Sequence, residues 1–434
     1  MLRRQPERSG VLTALRRAEP ATMRPVRHRR LAGTTNQEEA LMTRSRDSRL
    51  ERLTAVVPPS IAAKVLQRED ASGGSRPPFK RHAAPDSSMT KNSERPPSST
   101  TERAPDEVRA FADWFETQPD ARNRFRWVLR DSLDQVLDGG RTGRWHYLHL
   151  SKNEKSHLGS MIEANLTKSF SIEDGEILDW RVAGRELDCK FSKEVGGWEI
   201  PMEMYTCLDH GRQSGQDDHP ALLVWMNDDE NQWAAGLLRI TDDRLRWRSD
   251  RETGAPVRGY NRDYKRRLGK EAIAEVHWLW GGMQTDLPEN ILLHLAPADR
   301  SVILSEASGQ KRMNALFRTV RGRIVNRATV LTVGQQDDSP KRARDSRKHL
   351  CGEGVIVLGH QDSDPVVAAI LELDIPSKGT WISARLTEVG RHDLRPRVLI
   401  DGRYWAVAEE SDPPVEVPLV PTALARQDHL DGWQ

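Results

Sequence analysis

The feature that most limits what this 434-residue chain can fold into is a change of hydrophobic period between Ser151 and Phe191. Ser151 followed by Glu154 is a capping-box signature, and Leu158, Met161, Ile162 and Leu166 continue one apolar helical face to about Phe170. Glu176 to Val182 and Leu187 to Phe191 then read as two short neighbouring strands, joined through Ala183, Gly184 and Arg185 as a hairpin. Upstream, from Arg122, the spacing of Leu129, Leu133, Val136 and Leu137 predicts an amphipathic helix, with Gly139 and Gly140 placed to stop it. Ala221 to Met226 and Trp233 to Ile240 read as further strands. Helices flanking a mixed sheet give an α/β domain over about 105–282.

Past Pro288 the pattern restarts. Asn290 to Leu295 is expected to be helical, and so is Met313 to Val325, where Leu316, Val320 and Ile324 recur at four-residue spacing among arginines and lysines. Ser339 and Pro340 mark a helix start, and the helix they open carries Lys341, Arg342, Arg344, Arg347 and Lys348. Val355 to Leu358, between Gly354 and Gly359, reads as a strand. Helix, turn, basic helix, strand is the order of a winged helix-turn-helix, so 288–434 is expected to be a DNA-binding domain.

Length agrees with two folded units plus a tail, at roughly 100 to 200 residues per domain. Residues 1–104 hold 21 basic against 11 acidic side chains and are rich in Arg, Ser, Pro and Thr, which reads as a disordered basic extension. Met89 opens a polar lead-in to the first helical pattern and is the candidate start of the folded protein, with 1–88 as an unstructured extension. Beyond residue 104 the balance is 45 basic against 53 acidic, so the formal net charge of +2 carries no argument for DNA binding, and only local clusters can. No stretch approaches the roughly 20 consecutive apolar residues of a membrane helix. Cys189, Cys207 and Cys351 form no CxxC pair, which excludes a zinc ribbon or disulfide framework and fits a reducing cytoplasm. Cys207, His210 and His219 make a weak zinc set, and a surface loop is the better reading. Thirteen Trp suggest base stacking, but Trp180, Trp225 and Trp233 fall in or beside apolar strands, where core packing accounts for them.

Chemistry concentrates in Leu187-Asp188-Cys189-Lys190-Phe191. Alternate residues of a strand share a face, so Asp188 and Lys190 project together and Cys189 away. Asp179 ends the preceding strand, close enough across the hairpin to aim a second carboxylate at the same point, and Glu163 comes from the helix before it. Carboxylates so placed repel one another unless a divalent cation neutralises them, and magnesium takes a few carboxylates together with water and phosphate oxygens. With Lys190 orienting water or balancing charge, the set is suited to phosphodiester hydrolysis. Spacing alone leaves open an exposed ion pair worth about 0 to 1 kcal/mol.

The blocks Leu133-Asp134-Gln135, Asp138-Gly139, Arg141-Thr142-Gly143-Arg144-Trp145, Glu163-Ala164-Asn165-Leu166 and Asp188-Cys189-Lys190-Phe191-Ser192 resemble the NaeI restriction endonuclease family. The resemblance continues through Asn261-Arg262-Asp263, Lys265-Arg266-Arg267-Leu268, Gln335-Gln336-Asp337-Asp338 and Leu358-Gly359-His360-Gln361-Asp362 to Trp405-Ala406-Val407-Ala408, covering roughly 125 to 420. It implies a restriction-endonuclease-like domain of the PD-(D/E)xK type followed by the winged helix. It also implies a type IIE homodimer that cleaves double-stranded DNA at GCCGGC with magnesium and binds a second DNA copy as effector, and a DNA methyltransferase in the same cell. The family's catalytic acidic residues fall on Glu163, Asp179 and Asp188, which are also the implied metal ligands, and its lysine on Lys190. Insertions around Leu208 to His219 and Arg244 to Pro256 depart from the family pattern.

Effector binding is expected of Lys341, Arg342, Arg344, Arg347 and Lys348, since arginine pairs bidentately with guanine while most basic contacts go to phosphates. Gln335 and Gln336 are candidate base readers, and Asp337 and Asp338 either read bases or favour a helix amino terminus. His360 and Gln361 belong to a wing or to a turn. The rival functions are a non-cleaving DNA-binding regulator and a repair-type nicking endonuclease.

Overall fold

The computed structural model of the chain describes residues 50–70, 94–97, 104–207, 215 and 217–424. Among the described residues no helix is long and apolar enough to cross a membrane. Helix α1, Pro59–Asp70, lies inside the segment expected to be an extension, and Val57, Ala62 and Val65 are buried in the core of the carboxy-terminal domain. Their spacing was masked by the polar average of the surrounding hundred residues. The rest of 1–104 lies almost entirely outside the described residues.

The chain continues with α2 (Asp106–Thr117) and α3 (Ala121–Leu137), followed by the single turn α4 (Gly139–Thr142) and by α5 (Lys152–Phe170). The capping box at Ser151 is present, its hydroxyl accepting from the Glu154 N–H while the Glu154 carboxylate accepts from the Ser151 N–H. The glycine pair does not stop α3. Asp138 does, with a left-handed φ of 48°, and Gly139 opens α4. A Cβ on Gly139 would stand 2.1 Å from the Thr332 hydroxyl, so the glycine permits the close approach of the two segments.

Strands β1 (Glu173–Asp174), β2 (Trp180–Val182), β3 (Arg185–Ser192), β4 (Pro220–Asn227), β5 (Gln232–Arg239) and β8 (His277–Trp278) form one sheet in the order β1-β2-β3-β4-β5-β8. A separate two-stranded ribbon joins β6 (Trp247–Ser249) to β7 (Pro256–Arg258). Only β3 and β4 pair in parallel, and the mixed sheet expected from the sequence is thereby present. The first strand is shorter than expected, because 175–179 is a loop and pairing starts at Trp180. Helices α2, α3 and α5 cover one face over Leu187, Cys189, Leu222 and Val224. The other face, with Ala221, Leu223 and Trp225, is covered by Trp198, Tyr205, Leu245 and Leu268. Trp180, Trp225 and Trp233 are fully buried, as core packing requires, and Phe125 stacks on Trp233 with centroids 5.5 Å apart. Arg130 of α3 is buried between Asp134, at 2.7 Å, and the equally buried Asp228 after β4.

The carboxy-terminal part contains α6 (Ile291–His294), α7 (Pro297–Ser305), α8 (Gly309–Thr319), β9 (Val325–Asn326), α9 (Arg327–Gly334), α10 (Ser339–Leu350), β10 (Val355–Leu358), α11 (Asp364–Ile370), β11 (Thr380–Val389), β12 (Arg397–Ile400) and β13 (Arg403–Val407). Strands β9 and β10 both pair with β11, which continues to β13 and β12. Helix α8 starts earlier than its apolar spacing indicates, capped by Ser308, and ends at Thr319; Gly322, at φ 67°, then turns the chain into β9. Helix α9 escapes the periodicity because it is short and rich in Val and Thr, and Asn326 caps it by accepting the Thr329 N–H at 2.8 Å. The continuous apolar run of β10 follows from burial on both faces: Val355 and Val357 pack with α8 to α10, Ile356 and Leu358 with α11 and α1.

Helix α4 packs on α9. A cavity of about 410 Å³ lies at this junction, lined by Arg130, Asp138, Asn290 and Thr332 among others and by none of Glu163, Asp179, Asp188 or Lys190.

Candidate active site

The β2–β3 hairpin turns through Ala183 and Gly184, both at positive φ, and pairs Trp180 with Leu187. Regular pairing with β3 begins at Trp180, the residue after Asp179. Its carboxylate continues the ladder by accepting the Cys189 N–H at 2.9 Å, which aims Asp179 at the segment carrying Asp188 and Lys190. The Lys190 ammonium is ion-paired with Asp188 Oδ2 and lies 4.0 Å from Asp179 Oδ2. The alternation expected of this strand therefore holds, and Cys189 is buried on the helical face.

Glu163 is half-buried on α5 and makes no side-chain hydrogen bond to the other three, yet it shares their field. Burial and the negative charge of Asp179 push its carboxyl above the ordinary value, with Lys190 opposing. Two links fix its helix beside the hairpin: the Trp180 indole donates to the Thr167 hydroxyl at 2.8 Å, and that hydroxyl donates to the Glu163 carbonyl at 2.9 Å.

Asp188 is strongly perturbed. Burial raises its carboxyl from 3.8 to about 7, with Lys190 pulling it down and Asp179 pushing it up. Lys190 in turn is held above its ordinary value by Asp188 and Asp179, although burial opposes this. The buried Cys189 thiol is pushed up by desolvation and then by Asp188, Glu163 and Asp179, as expected where negative potential accumulates.

Among the described residues no group of three or more His, Cys, Asp or Glu stands close enough to cage a metal ion. Asp188 Oδ2 is nevertheless buried without a hydrogen bond of good geometry, beside a second carboxylate. A hard cation that takes one or two carboxylates and completes its shell with water and phosphate fits this donor set. A closed three-carboxylate cage does not, and Glu163 stands outside the immediate pair.

Glu186 was not singled out by sequence. Its carboxylate accepts the N–H groups of Glu176, Ile177 and Leu178 at 3.0, 3.1 and 2.9 Å, closing the loop that ends at Asp179. These bonds hold it below the ordinary carboxylate value although desolvation opposes them. The signal was available, because Glu186, Asp188 and Lys190 alternate on one strand.

On α10, Ser339, Ala343, Ser346 and Leu350 are buried, whereas Lys341, Arg344 and Lys348 are exposed on the opposite face at helical spacing. Arg342 is engaged with Asp338 at 2.9 Å, and Arg347 pairs with Asp364, whose carboxylate also accepts the Gly359 N–H at 2.7 Å. Asp338 occupies the amino-cap position of α10. Gln335 has a left-handed φ of 48° and packs on Gly143 of the first domain, and Gln336 packs on Gly309 and donates its N–H to the Ser339 hydroxyl at 3.2 Å. His360 and Gln361 lie in the turn between β10 and α11. Of the weak zinc set, His210 lies outside the described residues.

Comparison with known proteins gives this geometry its context. The family model described as restriction endonuclease NaeI matches residues 111–416. The type II restriction enzyme NaeI of Lentzea aerocolonigenes is 41% identical over 326 residues, covering 73% of this chain and 95% of the relative. The Asp188–Lys190 strand, the α5 carboxylate and the basic helix all lie inside the matched region, and the chain belongs to the NaeI family of type II restriction endonucleases.

Proposed function

We propose that this restriction endonuclease is a homodimer that hydrolyses DNA phosphodiesters at a short GC-rich palindrome, GCCGGC, with magnesium as cofactor. The observation that carries the reading is the juxtaposition of Asp179, Asp188 and Lys190 at the β2–β3 hairpin, in a chain that matches the family across both domains. Asp179 and Asp188 would hold the cation, with Glu163 contributing charge from α5. Magnesium bound there would polarise the scissile phosphate and lower the pKa of a coordinated water. Lys190 keeps its ammonium between the two carboxylates, where it neutralises charge building on the phosphate and orients the attacking water. The raised carboxyls of Asp188 and Glu163 favour binding of a cation, because three carboxylates facing one ammonium leave the site net negative.

The second domain is read as a winged helix-turn-helix that binds another copy of the site as effector. Support comes from the element order α8, β9, α9, α10, β10, β11, with β9 and β10 flanking β11. Helix α10 is the recognition helix in this reading, with Lys341, Arg344 and Lys348 facing DNA, Arg342 and Arg347 steadying the helix, and Gln335 and Gln336 at its entry. The two-fold symmetry of the dimer matches that of the palindrome. Contact between α4 and α9 provides the route by which effector occupancy favours the cleaving state. The three cysteines are free, in keeping with a cytoplasmic enzyme whose host DNA is protected by a methyltransferase.

The test incubates the full chain and K190A with plasmids carrying zero, one or two GCCGGC sites, in magnesium and then in calcium. Double-strand cutting that needs magnesium, is fastest with two sites and disappears in K190A is the expected result. Cutting at another sequence removes the specificity, and nicking alone removes the dimeric mechanism. Binding without cutting under every condition replaces the enzyme by a regulator.

A further inference from the structure

The first domain carries a concentration of positive charge that none of the assignments above uses. Residues 244–267 contain nine arginines and lysines against Asp250, Glu252 and Asp263, in a part of the chain that is otherwise net acidic. The segment contains the β6–β7 ribbon, and its first half, Arg244 to Pro256, is one of the two stretches where the resemblance to the family is interrupted.

Some of these cations build the ribbon. Arg266 is fully buried and ion-paired with Asp242, and it also donates to the carbonyls of Leu245 and Arg246, at 3.2 and 3.3 Å. Arg258 grips the same carboxylate at 2.8 and 2.9 Å. At the far end the Asp250 carboxylate is used up by the turn, accepting from the Glu252 and Thr253 N–H groups and the Thr253 hydroxyl at 2.8 to 3.0 Å. The ribbon is thus fixed at base and tip.

The other cations point outward. Among the described residues, Arg246, Arg248 and Arg251 are exposed and none is paired with a carboxylate; Arg248 only donates to the backbone carbonyls of Gly259 and Tyr260. Arg246 immediately precedes β6 and Arg248 lies within it, two residues on.

The ribbon also stands on the catalytic side of the sheet. Asp188 and Lys190 are in register with Ala221 and Leu223. The core against Ala221 and Leu223 includes Leu245 and Leu268, which bracket the ribbon. A two-stranded ribbon is of a size that a DNA groove admits, and rigid unpaired cations beside a phosphodiester-cleaving centre are matched by a polyanion.

We propose that the β6–β7 ribbon grips the phosphate backbone of the substrate duplex, Arg246, Arg248 and Arg251 supplying a hold for the cleavage domain independent of α10. The proposal rests on Asp188 and Lys190 being the cleavage centre.

The full chain is titrated in calcium with a fluorescent duplex carrying one GCCGGC site over 50 to 200 mM salt, using wild type, R246A/R251A, R246K/R251K and K190A. Neither Arg246 nor Arg251 bonds another side chain among the described residues, so the variants retain the wild-type melting profile. R246A/R251A is expected to bind at least tenfold more weakly, with a salt dependence shallower by about 1.8, the slope of two lost phosphate contacts. R246K/R251K keeps the slope. Unaltered affinity and slope in R246A/R251A, with cleavage abolished in K190A, overturn the ribbon alone, whereas cleavage surviving in K190A overturns the centre on which it rests. Full affinity for the single-site duplex, with stimulation by a second site lost, assigns the ribbon to the effector and also overturns the proposal.

Discussion

Replacing Asp188 by Asn should make the cation-free protein more stable while removing its activity. The magnitude follows from the carboxyl's displacement from 3.8 to about 7. The unfolded chain ionises Asp188 near its ordinary value, whereas the folded chain resists until about pH 7, so ionisation works against folding above pH 3.8 and reaches its full cost above pH 7. Three units of displacement correspond to about 4 kcal/mol at pH 8, and the cost at pH 5 is less than half of that. Only 7% of the side chain is exposed, so solvent screening removes little of this. Asparagine keeps the shape and cannot ionise. Urea denaturation in EDTA, followed by the fluorescence of the buried Trp180, Trp225 and Trp233, should place the D188N midpoint about 1.5 to 2 M above wild type at pH 8. The gap should narrow steadily towards pH 5. Added magnesium should raise the midpoint of wild type and leave that of D188N nearly unmoved. A D188N protein less stable than wild type at pH 8, or a difference that does not change with pH, would refute the claim that burial and Asp179 hold this carboxyl in an unfavourable state.

Two further outcomes follow from named contacts. E186Q leaves one acceptor oxygen for three backbone N–H groups, so Asp179 loses its fixed aim; single-turnover cleavage should fall by up to about 100-fold with DNA affinity in calcium unchanged, and a wild-type rate would show that the loop needs no such support. R130M strands Asp228 without its buried partner and should cost about 3 to 5 kcal/mol in denaturant, most of it regained in R130M/D228N; equal losses in the two variants would mean that the pair is not what the core depends on.

Local sequence determined much of this protein. The helix from Lys152 is announced by its own capping box, and the turn through Ala183 and Gly184 fixes the register that places Asp188 and Lys190 on one face. Both depend on residues a few positions apart, where backbone geometry leaves little choice. The family's ordered blocks added the reaction. Beyond that range the chain is silent, because burial and pairing are settled by residues far away in sequence. Nothing near Gly139 says that it meets Thr332 rather than ending a helix. Val57, Ala62 and Val65 look like part of a polar tail until α11 is seen to cover them. Five basic residues of α10 are equivalent as letters, yet Asp338 and Asp364 engage two of them and leave Lys341, Arg344 and Lys348 to the solvent. The same sorting separates Arg258 and Arg266, held by Asp242, from Arg246 and Arg251. A charge is available for function only if no carboxylate reaches it first, and only the tertiary structure decides which carboxylates come within reach.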